Sequence, residues 1–145
     1  MKCFYCYDAN FKNSGIEFLP LSYAQDIAEQ AKALGVESVS LLGGEPFLHP
    51  NWFDISQQFC EKKIRVSFST NGTLITSSVA KKLACVANSV QISLDGNNET
   101  VFDISQTSGV FTKVMGAVEE LKYYKIPVSI NCVVGKHNLP LIYDF

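Results

Sequence analysis

The sequence contains a single arginine, Arg65, among 145 residues, and its formal net charge at pH 7 is −2. Domains that bind nucleic acids usually carry a stripe of lysine and arginine on one face. Because this sequence has no such stripe, we expect no nucleic-acid partner.

Long apolar runs are also missing. No stretch approaches the about 18 apolar residues from which a membrane-spanning helix is read, and Met1 to Asn10 has no apolar segment before a small-residue cleavage site. We therefore expect no membrane contact, no secretion signal and a cytoplasmic location. The 47% hydrophobic and 18% charged composition is typical of a soluble globular protein, which we interpret as one domain over residues 1–145.

Helical and extended patterns alternate along the chain. Ser22 and Gln25 have the spacing of a capping box, and Gly35 is a typical helix end. The patterns predict helices from Ser22 to Gly35, Asn51 to about Lys62, Thr76 to about Val86 and Ser108 to Tyr124, a helix from Leu139 onward, and strands over Val36–Leu42, Ile64–Ser69, Val90–Leu94 and Ile126–Val134. Strands that alternate with helices favour a parallel sheet with right-handed crossovers.

Each predicted strand is apolar on one face and small or polar on the other. In the strand over Ile64–Ser69, Val66 and Phe68 alternate with Ser67 and Ser69. This alternation predicts an open, curved sheet whose apolar face packs beneath helices and whose polar, concave face binds a polar ligand. A concave face filled with ordered water is the alternative.

Three predicted strands end in motifs that can contact a ligand. They are the Gly-Gly-Glu-Pro run over residues 43–46, the Thr-Asn-Gly run over residues 70–72, and Ser93 with Asp95-Gly96. Ligands of parallel α/β sheets bind beyond the carboxyl ends of the strands. A glycine pair admits close approach to the backbone, and a carboxylate such as Glu45 suits an ammonium group. Taken singly, each motif is also an ordinary turn.

Cys3 and Cys6 form a close thiol pair near the start of the chain. In a reducing compartment such a pair more often binds a metal or reacts than forms a structural disulfide. A thioredoxin-like site requires a preceding strand, and a zinc site requires about four ligands; neither condition is met here. We expect Cys60, Cys85 and Cys132 to be buried, unreactive thiols, and His49 and His137 to lie on the surface.

Four segments together resemble the radical S-adenosylmethionine (radical SAM) enzymes: residues 2–7, 42–46, 69–74 and 91–96. The resemblance covers essentially the whole chain. It is nearest to the branch with sulfatase-maturating enzymes, SPASM-type peptide-modifying enzymes and the molybdopterin-pathway cyclase. It implies a partial, open parallel (β/α) barrel of TIM-like type, with strands two to five of a six-stranded radical SAM core.

The resemblance also implies a [4Fe–4S] cluster and S-adenosylmethionine as cofactors. In the family, three thiolates of a Cys-x-x-x-Cys-x-aromatic-Cys loop hold the cluster, whose open iron chelates the methionine end of S-adenosylmethionine. Reductive cleavage then gives a 5′-deoxyadenosyl radical that abstracts hydrogen from the substrate. Cys3 and Cys6 match the second and third metal ligands, and Tyr5 matches the aromatic residue beside adenine.

The strand-end motifs match the residues that hold S-adenosylmethionine in the family. Gly43, Gly44 and Glu45 correspond to the amino-group site, and Ser93 to a carboxylate or ribose contact. Ser69, Thr70 and Asn71 would lie near the ribose or the substrate. The predicted cofactor-binding residues are therefore Tyr5, Gly43, Gly44, Glu45, Pro46, Ser69, Asn71, Ser93 and Asp95.

The sequence departs from the family pattern at two places. The first cluster cysteine would stand four residues before Cys3, upstream of Met1. Relatives often carry an arginine after the Ser-Leu-Asp-Gly run that pairs with the S-adenosylmethionine carboxylate, where this chain has Gln106 at the end of residues 102–106. We therefore expect a truncated radical SAM oxidoreductase that itself holds a cluster poorly and is inactive.

The parent enzyme is expected to act on a peptide or small polar substrate, with flavodoxin or ferredoxin as electron donor. Two other functions stay open. One is a non-catalytic truncated barrel that binds a nucleotide-like ligand or a partner, with self-association through exposed sheet edges. The other is a zinc or redox protein that uses Cys3 and Cys6.

Overall fold

The computed structural model describes Cys3, Tyr5, Cys6, and residues 18–99 and 109–144. Helices and strands alternate through these residues. The elements are α1 (Leu21–Ala33), β1 (Ser38–Leu41), a 3₁₀ turn (Pro46–Leu48), α2 (Trp52–Glu61), β2 (Arg65–Thr70), α3 (Ser77–Val86), β3 (Ser89–Ser93), α4 (Phe111–Tyr123), β4 (Val128–Asn131) and a second 3₁₀ segment (Leu139–Asp144).

The four strands form one sheet in the order β1-β2-β3-β4, and every neighbouring pair is parallel. The register places Leu41 beside Phe68 and Phe68 beside Val90. All the strands therefore end at one edge, where the motifs over residues 43–46, 70–72 and 93–96 follow them. The predicted open, parallel (β/α) sheet of four strands is confirmed.

The core lies between the sheet and the helices on one of its faces. Val66, Phe68, Val90 and Ile92 are fully buried there, and burial of each such side chain contributes about 1.5–3 kcal/mol. The intervening residues Ser67 and Ser69 are half-buried on the opposite face. The predicted division into an apolar and a polar face is thus confirmed for β2 and β3.

For β4 the predicted packing is wrong at one position. Ile130, expected beneath a helix, is 40% exposed. The reason is that β4 lies at the edge of the described sheet and has β3 as its strand neighbour on one side only. Its apolar face consequently receives less cover than the faces of the two central strands.

The predicted helix ends are correct in part. Thr76, where the predicted helix begins, is the N-cap of α3 and accepts a hydrogen bond from Val79 N at 3.3 Å. The capping box at Ser22 is wrong, because α1 starts at Leu21 with Pro20 as its N-cap and has no side-chain cap. The segment from Leu139 forms a 3₁₀ helix instead of an α-helix. No helix among the described residues is long and apolar enough to cross a membrane.

Candidate functional site

The carboxylate of Glu45 joins the ends of β1 and β2. Its Oε1 accepts a hydrogen bond from Thr70 Oγ1 at 2.7 Å, and its Oε2 accepts one from Asn71 N at 2.9 Å. Phe47 N lies 3.4 Å from Oε1. Burial raises the pKa of Glu45, and the hydrogen bonds from Thr70, Asn71 and Phe47 partly oppose this shift.

The turn that carries Glu45 is held by its neighbours in the chain. Pro46 opens the 3₁₀ turn, and the Phe47 ring stacks on Phe68 with a centroid distance of 5.3 Å and meets Trp52 edge-on at 5.1 Å. Aromatic pairs in these geometries contribute about 0.5–1.5 kcal/mol beyond their burial. The apolar anchor at Phe47 therefore fixes the carboxylate two residues before it.

The strand-end segments over residues 43–46, 70–72 and 93–96 form an edge of the sheet that we call the mouth. Gly43 leaves open space there. Its φ of +148° is one that side-chain-bearing residues rarely adopt, and an added Cβ would meet nothing within 4 Å. Gly44 is exposed beside it. Both glycines are therefore exposed next to Glu45 in the chain, without side chains that would fill the space there.

The loop after β2 is rigidified by its own side chains. Thr70 Oγ1 accepts a hydrogen bond from Gly72 N at 3.0 Å, and Asn71 Oδ1 accepts one from Thr73 N at 2.9 Å. The Asn71 contact is the Asx turn that this residue type favours. Gly72 has a φ of +78°, and a Cβ there would contact Val114 and Ile92. The loop therefore requires glycine at this position.

Cys3, Tyr5 and Cys6 reach the same mouth through Tyr5. Cys6 N donates to Cys3 O at 3.2 Å, which closes a tight turn that brings both thiols to one loop. The Tyr5 hydroxyl donates to Asp95 Oδ2. Burial, followed by this hydrogen bond, raises the pKa of Tyr5, and burial and then the proximity of Cys6 raise the pKa of Cys3.

Asp95 is buried at the end of β3. Its Oδ1 accepts a hydrogen bond from Val133 N at 2.9 Å, and its backbone carbonyl accepts one from Asn138 Nδ2 at the same distance. Asn138 is a structural residue that sequence reasoning missed. A polar residue in a loop after a strand carries no local signal that it will be buried.

Ser69 and Ser93 lie on the polar face of the sheet. Ser69 Oγ donates to Gln91 Oε1 at 3.1 Å across the register of β2 and β3. Ser93 is the last residue of β3 and is paired in register with Asn131. Gln91 was not among the predicted site residues, although its place on the polar face marks it as a lining residue of the same surface.

The structure thus brings Glu45 together with Asn71, and Tyr5 together with Asp95. Arg65 lies at the opposite end, because it begins β2 and pairs with Glu37 at 3.5 Å. Residues 102–106, including Gln106, lie outside the described part of the chain.

The other cysteines and histidines differ in part from expectation. Cys85 is exposed, whereas Cys60 and Cys132 are half-buried. His49 bridges Leu19 O and Asn51 N at 2.9 and 3.0 Å, so it supports a loop where a plain surface residue was expected. The expectation of buried, unreactive thiols therefore fails for Cys85.

A cavity of about 320 Å³ lies at the amino end of the sheet, away from the strand-end motifs, and its lining includes Cys60, Arg65, Cys85 and Asn88. Within the described ranges, no group of three or more His, Cys, Asp or Glu side chains is placed to hold a metal ion.

Comparison with known proteins adds a family match. A model of the radical SAM superfamily matches residues 1–139. The AdoMet-dependent heme synthase of Methanosarcina barkeri is 30% identical over 96% of this chain and 40% of its own length. The mycofactocin maturase MftC of Mycobacterium ulcerans is 33% identical over 100% of this chain and 40% of its own length. The chain thus spans about two fifths of these curated relatives.

Solved structures with the same fold include two that hold S-adenosylmethionine. Streptococcus suis SuiB bound to S-adenosylmethionine has a TM-score of 0.85 and 25% identity, over 99% of this chain and 33% of that one. The anSMEcpe enzyme with bound AdoMet and Kp18Cys peptide has a TM-score of 0.84 and 27% identity, over 99% of this chain and 42% of that one.

Proposed function

The chain belongs to the radical SAM superfamily, and from this we propose that it is the part of a radical SAM enzyme that binds S-adenosylmethionine beyond the carboxyl ends of its strands. Members of the superfamily use a [4Fe–4S] cluster and S-adenosylmethionine. When bound, these cofactors supply a 5′-deoxyadenosyl radical for hydrogen abstraction. The observation that carries the proposal is the fixed carboxylate of Glu45, two residues after Gly43, where an added Cβ would meet nothing within 4 Å.

Glu45 is suited to receive the amino group of S-adenosylmethionine. Each carboxylate oxygen has two lone pairs. Oε1 accepts from Thr70 Oγ1 at 2.7 Å and from Phe47 N at 3.4 Å, whereas Oε2 accepts one hydrogen bond from the described residues, from Asn71 N at 2.9 Å, and keeps a lone pair for the ammonium group. A charge-assisted hydrogen bond to an ammonium group contributes about 1.5–3 kcal/mol. Gly43 and Gly44 add backbone carbonyls without side chains, and Pro46 sets the direction of the turn.

The remaining contacts are assigned by position around the mouth. Tyr5, in the cysteine loop, would lie against adenine, and Ser93 would bind the carboxylate or ribose. Ser69 and Asn71 would lie near the ribose or the substrate. Since Arg65 is at the other end of β2, the carboxylate would meet neutral donors at these positions, which bind it less strongly than a bidentate arginine does.

Cys3 and Cys6 are suited to hold iron, because soft thiolates select iron–sulfur clusters. They supply two of the three thiolates that the family pattern requires. We therefore propose that the 145-residue chain, tested alone, holds a [4Fe–4S] cluster poorly and does not cleave S-adenosylmethionine. The enzyme to which it corresponds would be an oxidoreductase that receives its electron from flavodoxin or ferredoxin.

The proposed substrate is a peptide or a small polar molecule. Two comparisons support a peptide: one relative is named as a maturase of mycofactocin, and one structural neighbour holds a peptide beside AdoMet. The polar face with Ser69 and Gln91 offers hydroxyl and amide groups that can bind peptide groups.

Anaerobic reconstitution tests this proposal. The chain is incubated with iron, sulfide and S-adenosylmethionine under reductant, and iron content and 5′-deoxyadenosine are measured. We expect less than one [4Fe–4S] cluster per chain and no 5′-deoxyadenosine. A full complement of cluster with S-adenosylmethionine cleavage would contradict the proposed inactivity of this chain and would support the radical SAM chemistry.

A second candidate is a non-catalytic binding module that associates through its sheet edge. The observation that favours it is the exposed apolar face of β4, where Ile130 is 40% exposed and an edge strand offers unpaired backbone groups. Light scattering distinguishes it, because edge pairing predicts a dimer that Ile130→Lys disperses. A monomer at all concentrations would argue against self-association.

A further inference from the structure

We propose that Asp95 is a positioning residue that fastens the cysteine loop to the ends of β3 and β4, and that it does not contact the cofactor. The proposal rests on the proposed function in one respect, namely that the loop with Cys3 and Cys6 is the metal-binding loop. It replaces the expectation, drawn from the sequence, that Asp95 contacts S-adenosylmethionine directly.

The side chain of Asp95 is closed to a ligand. Its side chain is 1% exposed, and each oxygen already accepts from the protein: Oδ2 from the Tyr5 hydroxyl and Oδ1 from Val133 N. None of the ion pairs between described residues includes it. Both oxygens accept from neutral donors of this chain, and because the residue is 1% exposed the carboxylate has no accessible surface at which S-adenosylmethionine could bind.

Asp95 is itself held in place by Asn138. Asn138, which is 2% exposed, donates from Nδ2 to Asp95 O at 2.9 Å and to Val133 O at 3.0 Å. Its Oδ1 accepts from Gly135 N at 2.8 Å. The loop after β4 is thus closed onto the end of β3, and its Val133 amide is aimed at the Asp95 carboxylate.

The hydrogen bond from the Tyr5 hydroxyl to Asp95 connects the end of β3 to the loop that carries the two thiols. Tyr5 stands between the cysteines, and the hydrogen bond from Cys6 N to Cys3 O closes the turn around it. When the Tyr5 hydroxyl is bound to Asp95, the turn has one defined orientation relative to the sheet. Residues 90 positions apart in the chain are joined in this way, and the direction of both thiols depends on the contact.

Cysteine alkylation in the metal-free 145-residue chain tests the inference. Tyr5→Phe removes the donor and keeps the ring, so the thiolate rate constants of Cys3 and Cys6 should rise at least threefold. Rates are measured with iodoacetamide at several pH values, which separates a change in thiol pKa from a change in access. Cys85, exposed on α3, is the reference within the same molecule, and Tyr23→Phe is the matched control because Tyr23 is exposed on α1.

Asp95→Asn supplies the second arm. Asparagine keeps the volume of aspartate but has one acceptor oxygen for two donors. We therefore expect the same increase in the alkylation rate constants of Cys3 and Cys6. The double variant with Tyr5→Phe should show no further increase. Groups that act through one contact are non-additive in this way. Equal rates in the wild type and Tyr5→Phe, additive effects in the double variant, or a parallel rise at half-buried Cys60 would overturn the inference.

The labelling uses no iron, sulfide or S-adenosylmethionine, so the two proposals can fail separately. Suppose that alkylation of Cys3 and Cys6 becomes faster as expected, but that a reconstituted chain carrying the first cluster cysteine upstream of Met1 binds no S-adenosylmethionine. This outcome would support the positioning role of Asp95 and contradict the proposed function. Unchanged labelling in a chain that binds S-adenosylmethionine would do the reverse. If Asp95→Asn fails to fold, the comparison of Tyr5→Phe with Tyr23→Phe decides alone.

Discussion

Thr70 Oγ1, at the last residue of β2, donates a hydrogen bond of 2.7 Å to Glu45 Oε1, in the turn after β1. The same hydroxyl accepts from Gly72 N at 3.0 Å. One side chain therefore fixes both the carboxylate at the mouth and the loop beside it.

Thr70→Val should lower the free energy of unfolding by about 1–3 kcal/mol, since it leaves a buried acceptor and a backbone N–H without their partner. Valine preserves the shape of the side chain. Urea unfolding measures the change. Thr112→Val, at an exposed position of α4, is the control and should change stability by less than about 0.5 kcal/mol. Equal effects of the two variants would show that the hydroxyl is not structural.

Phe68→Ala should lower the free energy of unfolding by about 3–5 kcal/mol, because Phe68 is 1% exposed and stacks on Phe47. It should also loosen the turn that carries Glu45. Leu34→Ala, at a position that is 83% exposed, provides the control. If urea unfolding shows that Phe68→Ala lowers the free energy of unfolding no more than the control does, the assignment of Phe68 to the core is contradicted.

The pKa of Glu45 is raised by burial from its usual value of 4.5. The folded state thus binds this proton more tightly than the unfolded state does, and the contribution of Glu45 to stability falls as pH rises from about 4.5 through the raised pKa. Glu45→Gln removes this dependence. The stability of the wild type relative to Glu45→Gln should therefore decrease as pH rises through that window, in urea unfolding at several pH values. A constant difference would show that Glu45 does not titrate as described.

We predict that iron binding increases when the chain is extended upstream of Met1 by the first cysteine of the family pattern. A Cys-Asn dipeptide added before Met1 would complete the family spacing to Cys3, so we expect iron content after anaerobic reconstitution to rise toward one [4Fe–4S] cluster per chain. Cys3→Ser in the extended chain should abolish the gain, and Cys85→Ser, on α3, should not. Equal iron in the extended and original chains would contradict the assignment of Cys3 and Cys6 as cluster ligands.

The sheet could be predicted well from the sequence because the alternation of apolar and polar residues is a local pattern that recurs from strand to strand. Alternation of Val66 and Phe68 with Ser67 and Ser69 sets the two faces of β2, and parallel strands then bring their carboxyl ends to one edge. The helix start at Pro20 was missed because Ser22 and Gln25 offer a capping box that the backbone does not use. Local pattern cannot decide between two adjacent starts.

The connections at the mouth are less predictable because they join distant segments. Nothing near Tyr5 indicates that its hydroxyl reaches Asp95, and nothing near Asn138 indicates that it is buried against the end of β3. The sequence motifs indicate which segments lie at the carboxyl ends of the strands, whereas the hydrogen-bond partner of each carboxylate oxygen depends on packing. For that reason Asp95 is expected from the sequence to bind cofactor, whereas its hydrogen bonds with Tyr5 and Val133 lead us to propose a positioning role instead.

The central claim is that Glu45 binds the amino group of S-adenosylmethionine, and titration calorimetry of the anaerobically reconstituted, extended chain tests it most directly. We predict that Glu45→Gln weakens the affinity for S-adenosylmethionine by roughly 10- to 150-fold, as loss of one charge-assisted hydrogen bond implies. The control Glu61→Gln, exposed at the end of α2, should bind as the wild type does. Equal affinities of Glu45→Gln and Glu61→Gln, or no binding by the wild type, would contradict the claim.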